Sequence, residues 1–352
     1  MGLKFPENLE EWRAWSRKQN TARYLKTQLT QWMPGAHQAS PDPSFVFARA
    51  TDIEPQVLVG LDATTPTQVA ALLLPGESLL FADVPTGVIA PAAHADWLTR
   101  RGFDVQINFT PATAPALHAV TQVIAAGHYL PVGDWLYQQA QRQGWGFNVV
   151  QHGIHTPFVP PLPAHSTLFA FSAEDAEFWR SGRTDVNTHV VGSQLFFEAQ
   201  DKPKVAPEDV GDRLTFLGQM HGAELPRYSF AHASYTFCSE HDAVYRPHPA
   251  ETDKLSILTH ALWEKRGVTI DRSKSPLNQL NDPVVSIFST GVLEAAMRGV
   301  PSWVYHPNPP AWLQEFWARY GMNQYGQAPT PAPAFIEEEP AQLIAQHITQ
   351  QL

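Results

Sequence analysis

Short apolar runs alternate with segments of helical periodicity over most of this chain, and this alternation is the strongest constraint on its fold. In the first half, residues 56–61, 78–81 and 105–109 have the composition of strands, whereas residues 67–74 and 93–100 have that of helices. Strands separated by helix-length segments favour parallel pairing, because a parallel neighbour is reached through a crossover connection. The sequence therefore predicts an α/β fold with parallel sheets.

The alternation breaks once in the middle of the chain. Residues 198–213 are charged, contain two prolines and lack apolar periodicity. A new strand-like run begins directly afterwards, at residues 214–218. Because a domain boundary falls where periodic segments give way to a polar, proline-containing stretch, we predict two domains joined by a linker here.

Composition narrows the class of function. A chain of 352 residues with 43% hydrophobic content can bury a large core and is long enough for two domains. The 34 acidic residues exceed the 24 basic ones, which argues against a general nucleic-acid binder. Cys238 is the only cysteine, so no intrachain disulfide can form, and no signal peptide or membrane-spanning apolar run is recognisable. We expect a cytoplasmic protein.

The first 33 residues differ in charge from the rest, since they carry a net charge of +3 and the remainder carries −13. Leu9, Trp12, Leu29 and Trp32 recur at helical spacing, which predicts an amphipathic helix over residues 8–33. A basic helix with tryptophans can lie on an anionic membrane surface, and it can alternatively pack on the first domain. The first alternative would place the protein peripherally at the inner face of the membrane.

A strand-to-helix junction in the second half is typical of an anion site. Residues 284–288 are β-branched or apolar and predict a buried strand, and a helix is predicted at 290–298. Ser289, Thr290 and Gly291 would then lie at the helix N-terminus, where free backbone N–H groups and the helix dipole favour a phosphate. Alternatively, Ser289 or Thr290 serves only as the helix N-cap, which is the commoner use of these residues.

A second motif, Tyr245-Arg246-Pro247-His248-Pro249, ends another apolar run. The prolines on both sides of His248 exclude a regular helix and stiffen the loop that presents the imidazole. Because the carboxyl ends of parallel strands share one edge, we expect His248 and Ser289 to face the same crevice. Together with Arg246, they predict a site for a phosphate.

The pairing of Arg246-Pro247-His248-Pro249 with Ser289-Thr290-Gly291 resembles the paired motifs of bacterial polysialyltransferases and the equivalent region of the teichoic-acid CDP-glycerol glycerophosphotransferases. These families have the GT-B fold, in which two Rossmann-like domains face a central cleft and the last helices commonly return to the first domain. The resemblance implies that His248 and Ser289 or Thr290 bind the phosphate of a cytidine nucleotide donor, favoured over UDP. It also implies that Glu294 binds ribose hydroxyls, although a solvated helix residue is an equal alternative.

The first half contains a candidate catalytic base. A buried-strand pattern ends in Gln151-His152-Gly153, and glycine lets a substrate approach the backbone closely. This element resembles the strand-end His-Gly of the glycerophosphate transferases, which implies that His152 is the base; a structural histidine bonded to backbone is the alternative. Asp62 is the second candidate for the base. Both Asp62 and Asp83 follow apolar runs and can simply begin turns.

Metal chemistry has little support in the sequence. His152 and His155 lack a Cys or acidic ligand at a recognised zinc spacing. The chain has no Asp-x-Asp, the element with which many nucleotide-sugar transferases hold Mg²⁺ or Mn²⁺. We therefore expect no metal and no cofactor, and a donor phosphate neutralised by Arg246, His248 and a helix terminus.

The function predicted is that of a metal-independent GT-B transferase of bacterial cell-wall or capsule polysaccharide biosynthesis. It would move a sugar or polyol phosphate from a nucleotide donor to a hydroxyl of a cell-surface glycan, a lipid-linked acceptor or a teichoic-acid-like acceptor. One alternative is a non-hydrolysing nucleotide-sugar epimerase, whose His-Arg and Glu-Asn run is missing; another is an inactive scaffold that binds a glycan. The predicted boundaries are an amphipathic helix at 1–33, an acceptor-side domain at 34–195, a linker at 196–213, a donor domain at 214–326, and a linker with a returning C-terminal helix at 327–352.

Overall fold

The computed structural model describes residues 2–19, 43–273, 275 and 277–352. The chain forms two compact units, one comprising Gly2–Phe197 with Ile336–Leu352 and the other Glu198–Phe335. The division falls inside the helix Gln194–Gln200, so the segment predicted as a linker at 196–213 begins as helix. Phe196 of this helix is buried and lies 6.1 Å from the Phe171 ring, which ties the start of the segment to the core of the first unit.

An eight-stranded sheet forms the first unit. Its strands are β1 (Phe45–Arg49), β2 (Val57–Gly60), β3 (Thr86–Pro91), β4 (Asp104–Phe109), β5 (Gln122–Ala125), β6 (Gly146–Val150), β7 (Thr167–Ala170) and β8 (Asn187–Val190). The spatial order is β4-β1-β3-β2-β5-β6-β7-β8. Strands β2, β3 and β5 to β8 are parallel as predicted, whereas β1 runs antiparallel to both β3 and β4. Strands β2 and β5 are buried along their full length, as expected for parallel strands covered on both faces.

Helices cover this sheet on both faces. They are α1 (Leu9–Gln19), α2 (Leu74–Phe81), α3 (Ala95–Arg100), α4 (Pro131–Gln143), α5 (Ala173–Arg180), α6 (Gln194–Gln200) and the C-terminal helix (Pro340–Thr349). A short helical turn, Pro66–Gln68, and a π-helical segment, Val69–Leu73, lead directly into α2. Ile344 and Ile348 of the C-terminal helix belong to the same buried cluster as Leu79 of α2, so the end of the chain completes the core of the first unit.

The prediction of a strand at residues 78–81 is wrong, because these residues form the last turns of α2. A short apolar run fits a strand or a buried helix equally well, and packing decides between them. Here α2 packs along the C-terminal helix, with Leu79 fully buried, and the next strand is β3. Asp83 therefore precedes β3 in a left-handed turn with φ 57°, at the amino edge of the sheet and away from the predicted crevice.

The N-terminal helix α1 accounts for the first part of the predicted helix at 8–33; residues 20–33 lie outside the described residues. Trp12 donates from Nε1 to the Phe158 carbonyl at 2.6 Å, and Trp15 stacks on the Phe158 ring at 5.2 Å. Both tryptophans of α1 thus pack against the first unit. Among the described residues, no helix is long and apolar enough to cross a bilayer.

The second unit contains a smaller, fully parallel sheet. Its strands are β9 (Thr215–Leu217), β10 (Val244–Arg246), β11 (Val284–Ser286) and β12 (Ser302–Val304), in the order β10-β9-β11-β12. Its main helices are α7 (Arg227–His241), α8 (Lys254–Lys265), α9 (Gly291–Met297) and α10 (Ala311–Arg319). Phe216, Phe237 and Tyr245 are fully buried between the sheet and these helices. The prediction of an α/β architecture is confirmed in both units.

Candidate functional site

The carboxyl edge of the second unit's sheet collects polar side chains from all four strand ends. His221 follows β9, His248 follows β10, Ser289 and Thr290 follow β11, and His306 follows β12. Open α/β sheets bind their ligands at this edge, because the loops after parallel strands converge there. The structure thus brings the predicted residues His248, Ser289 and Thr290 to one edge and adds two histidines.

His248 and His221 form a stacked pair on this edge. Their ring centroids are 3.7 Å apart with an interplanar angle of 19°, and both residues are exposed. The Ala250 N–H donates to His248 Nδ1 at 3.1 Å, so the neutral ring carries its proton on Nε2. Partial loss of hydration lowers the pKa of His248, with Glu251 opposing the shift. An uncharged N–H donor is what this arrangement offers to a phosphate oxygen.

A buried carboxylate, Glu251, holds the two histidine loops in place. Its Oε1 accepts from the backbone N–H groups of Met220 at 3.0 Å and His248 at 3.3 Å. Its Oε2 accepts from the Tyr245 hydroxyl at 2.9 Å and lies 3.0 Å from His260 Nε2. Since the Glu251 side chain is fully buried, these bonds satisfy both of its oxygens where water cannot reach them.

Arg246, predicted to neutralise the phosphate, is engaged with protein groups. Its Nη1 forms an ion pair with Asp271 at 3.0 Å, and its Nη2 donates to the Ser275 carbonyl. The Arg246 side chain is 14% exposed. The guanidinium is therefore positioned to fix the chain around residue 271 beside the histidine loop, and direct contact with a donor stays a prediction.

The junction between β11 and α9 forms where it was predicted. Ser289 Oγ accepts from the Gly291 N–H at 3.1 Å, whereas Thr290 occupies the N-cap position without a side-chain capping bond. A Cβ atom at Gly291 would lie 2.7 Å from Leu217 Cδ1, so only glycine allows α9 to approach β9 this closely. Glu294 is half-buried, and burial raises its pKa against the opposing charges of Lys202 and Arg298. Its predicted role at the ribose stays untested.

Two further polar side chains complete this edge. His306 Nε2 lies 2.8 Å from Ser229 Oγ, and its Nδ1 accepts from the Asn308 N–H at 3.2 Å. Gln219 Oε1 accepts from the Ser286 hydroxyl at 3.1 Å and from the Phe288 N–H at 2.9 Å, which joins the loop after β9 to the end of β11. Sequence reasoning missed His221, Glu251 and His306; the signal was that each follows a predicted strand within a few residues.

The first unit carries the predicted base. His152 follows β6, and its Nε2 lies 3.4 Å from the hydroxyl of Tyr129, which follows β5. Burial lowers the pKa of His152 to about 4, although the Val150 carbonyl opposes the shift. The imidazole is therefore neutral at physiological pH and able to accept a proton. Burial, together with the negative charge of Asp62, raises the pKa of Tyr129, so the phenol stays protonated.

A small cavity lies beside His152 at the carboxyl edge of the first unit's sheet. Two glutamines fix its wall. Gln151 donates to Asp175 at 3.0 Å and accepts from the Phe171 N–H at 2.9 Å, and Gln194 accepts from the Ala341 N–H at 3.0 Å. Most of its lining comes from the π-helical segment, the end of β6, the start of α6 and the C-terminal helix. The lining residues are Thr67, Ala70, Ala71, Val150, Gln151, His152, Phe171, Gly192, Ser193, Gln194, Leu195, Pro340, Ala341 and Ile344.

Asp62, the second candidate base, caps a helix. Its Oδ1 accepts from the Val132 N–H at 2.8 Å and its Oδ2 from the Gly133 N–H at 3.2 Å, at the N-terminus of α4. Burial raises the pKa of Asp62, and these two bonds oppose the shift. Both carboxylate oxygens stabilise the free N–H groups of α4, which is the structural use of an aspartate that follows a strand.

A metal site finds no support among the described residues. No group of three or more His, Cys, Asp or Glu side chains there is close enough to hold an ion. His155, considered with His152 as a zinc ligand, is buried against Trp179 with ring centroids 4.1 Å apart.

Comparison with known proteins establishes the fold. No family model and no curated protein matches this chain. The UDP-GlcNAc 2-epimerase of Methanocaldococcus jannaschii, in complex with UDP-GlcNAc and UDP, is similar in structure with a TM-score of 0.51 and 11% identity, over 84% of this chain and 99% of the epimerase. A glycosyltransferase from Rickettsia africae ESF-5 has a TM-score of 0.47 and 9% identity over 84% of this chain and 88% of its own. The similarity to the epimerase confirms the prediction of a GT-B fold built from two Rossmann-like units.

Proposed function

We propose that this protein is a transferase of the GT-B type that takes its donor as a nucleotide-activated sugar or polyol phosphate. The observation that carries the proposal is the convergence of His248, His221 and the hydroxyls of Ser289 and Thr290 at one carboxyl sheet edge. An imidazole N–H and hydroxyls suit phosphate oxygens without a metal ion. The transferred group, and the choice of a cytidine over a uridine nucleotide, belong to the proposal.

His152 supports the second half of the proposed reaction. In this proposal its imidazole takes the proton from an acceptor hydroxyl as that oxygen attacks the donor. In this proposal the acceptor, a cell-surface glycan or a teichoic-acid-like polymer, presents its hydroxyl to His152 at the carboxyl edge of the first unit's sheet. Because burial keeps His152 neutral, the ring is ready to accept a proton at physiological pH.

A nucleotide-sugar epimerase is the second candidate, since the epimerase similar in structure is covered over 99% of its length. An epimerase converts its nucleotide sugar without an acceptor, a transferase releases nucleotide only when an acceptor is present, and a glycan-binding scaffold does neither. These three activities are separable in one assay.

The test begins with a thermal-shift screen of CMP, CDP, UDP, GDP and ADP, with and without EDTA. A nucleotide at about 100 times its dissociation constant adds roughly 2.7 kcal/mol to the free energy of unfolding. The activated form of the nucleotide that binds is then incubated with and without glycan acceptors, and the products are resolved by mass spectrometry. Stabilisation by a nucleotide, unchanged by EDTA, followed by acceptor-dependent release supports the proposal. Conversion of the sugar without an acceptor favours the epimerase, and the absence of nucleotide binding contradicts both.

A further inference from the structure

Helix α8 leaves an apolar face uncovered. Leu255, Leu258 and Leu262 are 54%, 66% and 45% exposed, and Ile257, on another side of the helix, is 56% exposed. The three leucines stand at positions i, i+3 and i+7, which places them on one side of the helix. A soluble surface rarely gathers this many large apolar side chains on one short helix, and such patches mark interaction sites.

The orientation of α8 is set by bonds on its opposite face. His260 is bonded to the buried Glu251, and Trp263 is buried against the Tyr245 ring at 5.0 Å. Asp253 caps the helix by accepting from the N–H groups of Leu255 and Ser256. Because His260 and Trp263 hold one face of α8 against the core, the leucines on the opposite face stay exposed to solvent.

Positive charge surrounds this apolar face, although the whole chain carries a net charge of −10. Lys254 is exposed at the start of α8, and Lys265 and Arg266 are exposed at its end. The two exposed carboxylates of this region are each paired with an arginine, Asp253 with Arg227 at 3.4 Å and Glu264 with Arg272 at 2.8 Å. The local balance is therefore basic.

We propose that α8 docks the protein on an anionic lipid surface, with Leu255, Leu258 and Leu262 inserted at the level of the headgroups. An interfacial helix of this kind combines an apolar face with flanking Lys and Arg that contact anionic lipids. A second copy of the chain fits less well, because α8 packed on its own copy brings Lys254, Lys265 and Arg266 of the two copies together. The site differs from residues 1–33, where Trp12 and Trp15 pack within the first unit.

The test is co-sedimentation of the full-length protein with two kinds of vesicle, pure phosphatidylcholine and equal parts of phosphatidylcholine and phosphatidylglycerol. We expect binding to the anionic vesicles alone, weakened by salt. The double variant Leu258→Ser/Leu262→Ser should lower the partition coefficient at least about tenfold, because two half-exposed leucines no longer leave water. Lys265→Glu/Arg266→Glu, which keeps the leucines, should have a similar effect. Phe81→Ser, which removes another exposed side chain in the first unit, is the matched control and should bind as wild type does.

Each contrary result overturns the proposal. Wild-type protein that stays in the supernatant excludes a lipid surface, and variants of α8 that sediment normally move the contact elsewhere, for example to residues 1–33. Equal binding to both vesicles removes the role of charge. A wild-type dimer that the leucine variant converts to a monomer, measured by analytical ultracentrifugation, identifies a second copy as the occupant. Nucleotide stabilisation of the same variants is expected to be unchanged, which separates this test from that of the proposed function.

Discussion

A single backbone contact decides what His248 can offer to a ligand. The Ala250 N–H occupies Nδ1, so the proton of the neutral ring sits on Nε2. Because partial loss of hydration also lowers the pKa of His248, the neutral form dominates at physiological pH. At this residue, binding to a phosphate depends on hydrogen bonding more than on charge.

Replacing His248 with alanine should weaken nucleotide binding at least about tenfold, because a hydrogen bond to a charged group contributes roughly 1.5–3 kcal/mol. Isothermal titration calorimetry with the nucleotide found in the screen measures the change. His241→Ala is the control, since His241 ends α7 at the opposite edge of the sheet. Equal affinity in the wild type and His248→Ala would exclude His248 from the phosphate site.

Glu251 shows how a buried residue supports an exposed one. Its four partners belong to the loop after β9, the strand β10, the His248 loop and helix α8. Glu251→Gln keeps the shape of the side chain but substitutes one acceptor oxygen with an NH₂ donor that faces groups already donating. We expect the free energy of unfolding to fall by about 1–3 kcal/mol, the penalty for leaving a buried group unpaired.

Urea denaturation of Glu251→Gln measures this loss of stability, and nucleotide titration of the folded variant measures the effect on the site. Glu240→Gln, on the exposed last turn of α7, is the control and should change neither quantity. A Glu251→Gln variant as stable as the wild type would show that the network contributes little. In that case the positions of His221 and His248 must depend on their loops alone.

At the scale of elements, parallel strand ends decide which loops can cooperate. Strand β6 delivers His152 beside Tyr129 from the end of β5, although 23 residues separate them along the chain. Asp62, at the end of the neighbouring β2, instead accepts hydrogen bonds from two backbone N–H groups at the N-terminus of α4. Three strand ends of one sheet therefore supply a candidate base, its hydroxyl partner and a helix cap.

His152→Ala should lower turnover by about 10² to 10⁴ and leave nucleotide affinity unchanged, as expected for a general base. In the wild type, the base is active in its neutral form, and burial lowers its pKa from 6.5 to about 4. The rate should consequently stay level as the pH falls through 6.5 and decline only near 4. Turnover assays from pH 8 to 4, if the fold persists, give this profile.

Two results would count against His152 as the base. One is a His152→Ala variant that keeps more than about a tenth of wild-type turnover. The other is an acidic limb of the rate profile near 6.5, where an exposed histidine titrates. Tyr129→Phe is the matched variant, because it removes only the hydroxyl next to His152 and should reduce turnover less than His152→Ala does.

For the whole molecule, a buried neutral histidine makes stability depend on pH. Burial, reinforced by Arg13 and Arg183, lowers the pKa of His128 to about 4, while the unfolded chain has the ordinary value of 6.5. Between these two values the unfolded state binds the proton and the folded state does not. Stability therefore rises with pH through this range and is lost on acidification, by up to about 1.4 kcal/mol per pH unit for one such group.

Urea denaturation at pH 7, 6 and 5 should show the free energy of unfolding falling with each step. His128→Asn removes the titrating ring, so its curve should be flatter than that of the wild type between pH 6.5 and 4. His118→Asn, exposed in the same unit, serves as the control. Identical slopes in the wild type and His128→Asn would rule out His128 as a source of acid sensitivity.

The sequence by itself determined the α/β class, the parallel direction of most strands, and the strand-end positions of His152, His248 and Ser289. Composition and hydrophobic periodicity are local properties that identify the strands. Because the carboxyl ends of parallel strands lie at one edge of a sheet, the residues that follow those strands can be located at that edge. The same rule places the strand-end candidates His248 and Ser289 on one edge from the sequence alone.

Tertiary structure alone decided the rest. Residues 78–81 form the end of a helix on which the C-terminal helix packs, and β1 runs antiparallel to its two neighbours, β3 and β4. His221 joins His248 only when β9 and β10 lie side by side, and Glu251 becomes important only once four elements donate to it. Each of these outcomes depends on contacts between residues far apart in the chain, and neither composition nor period records such contacts.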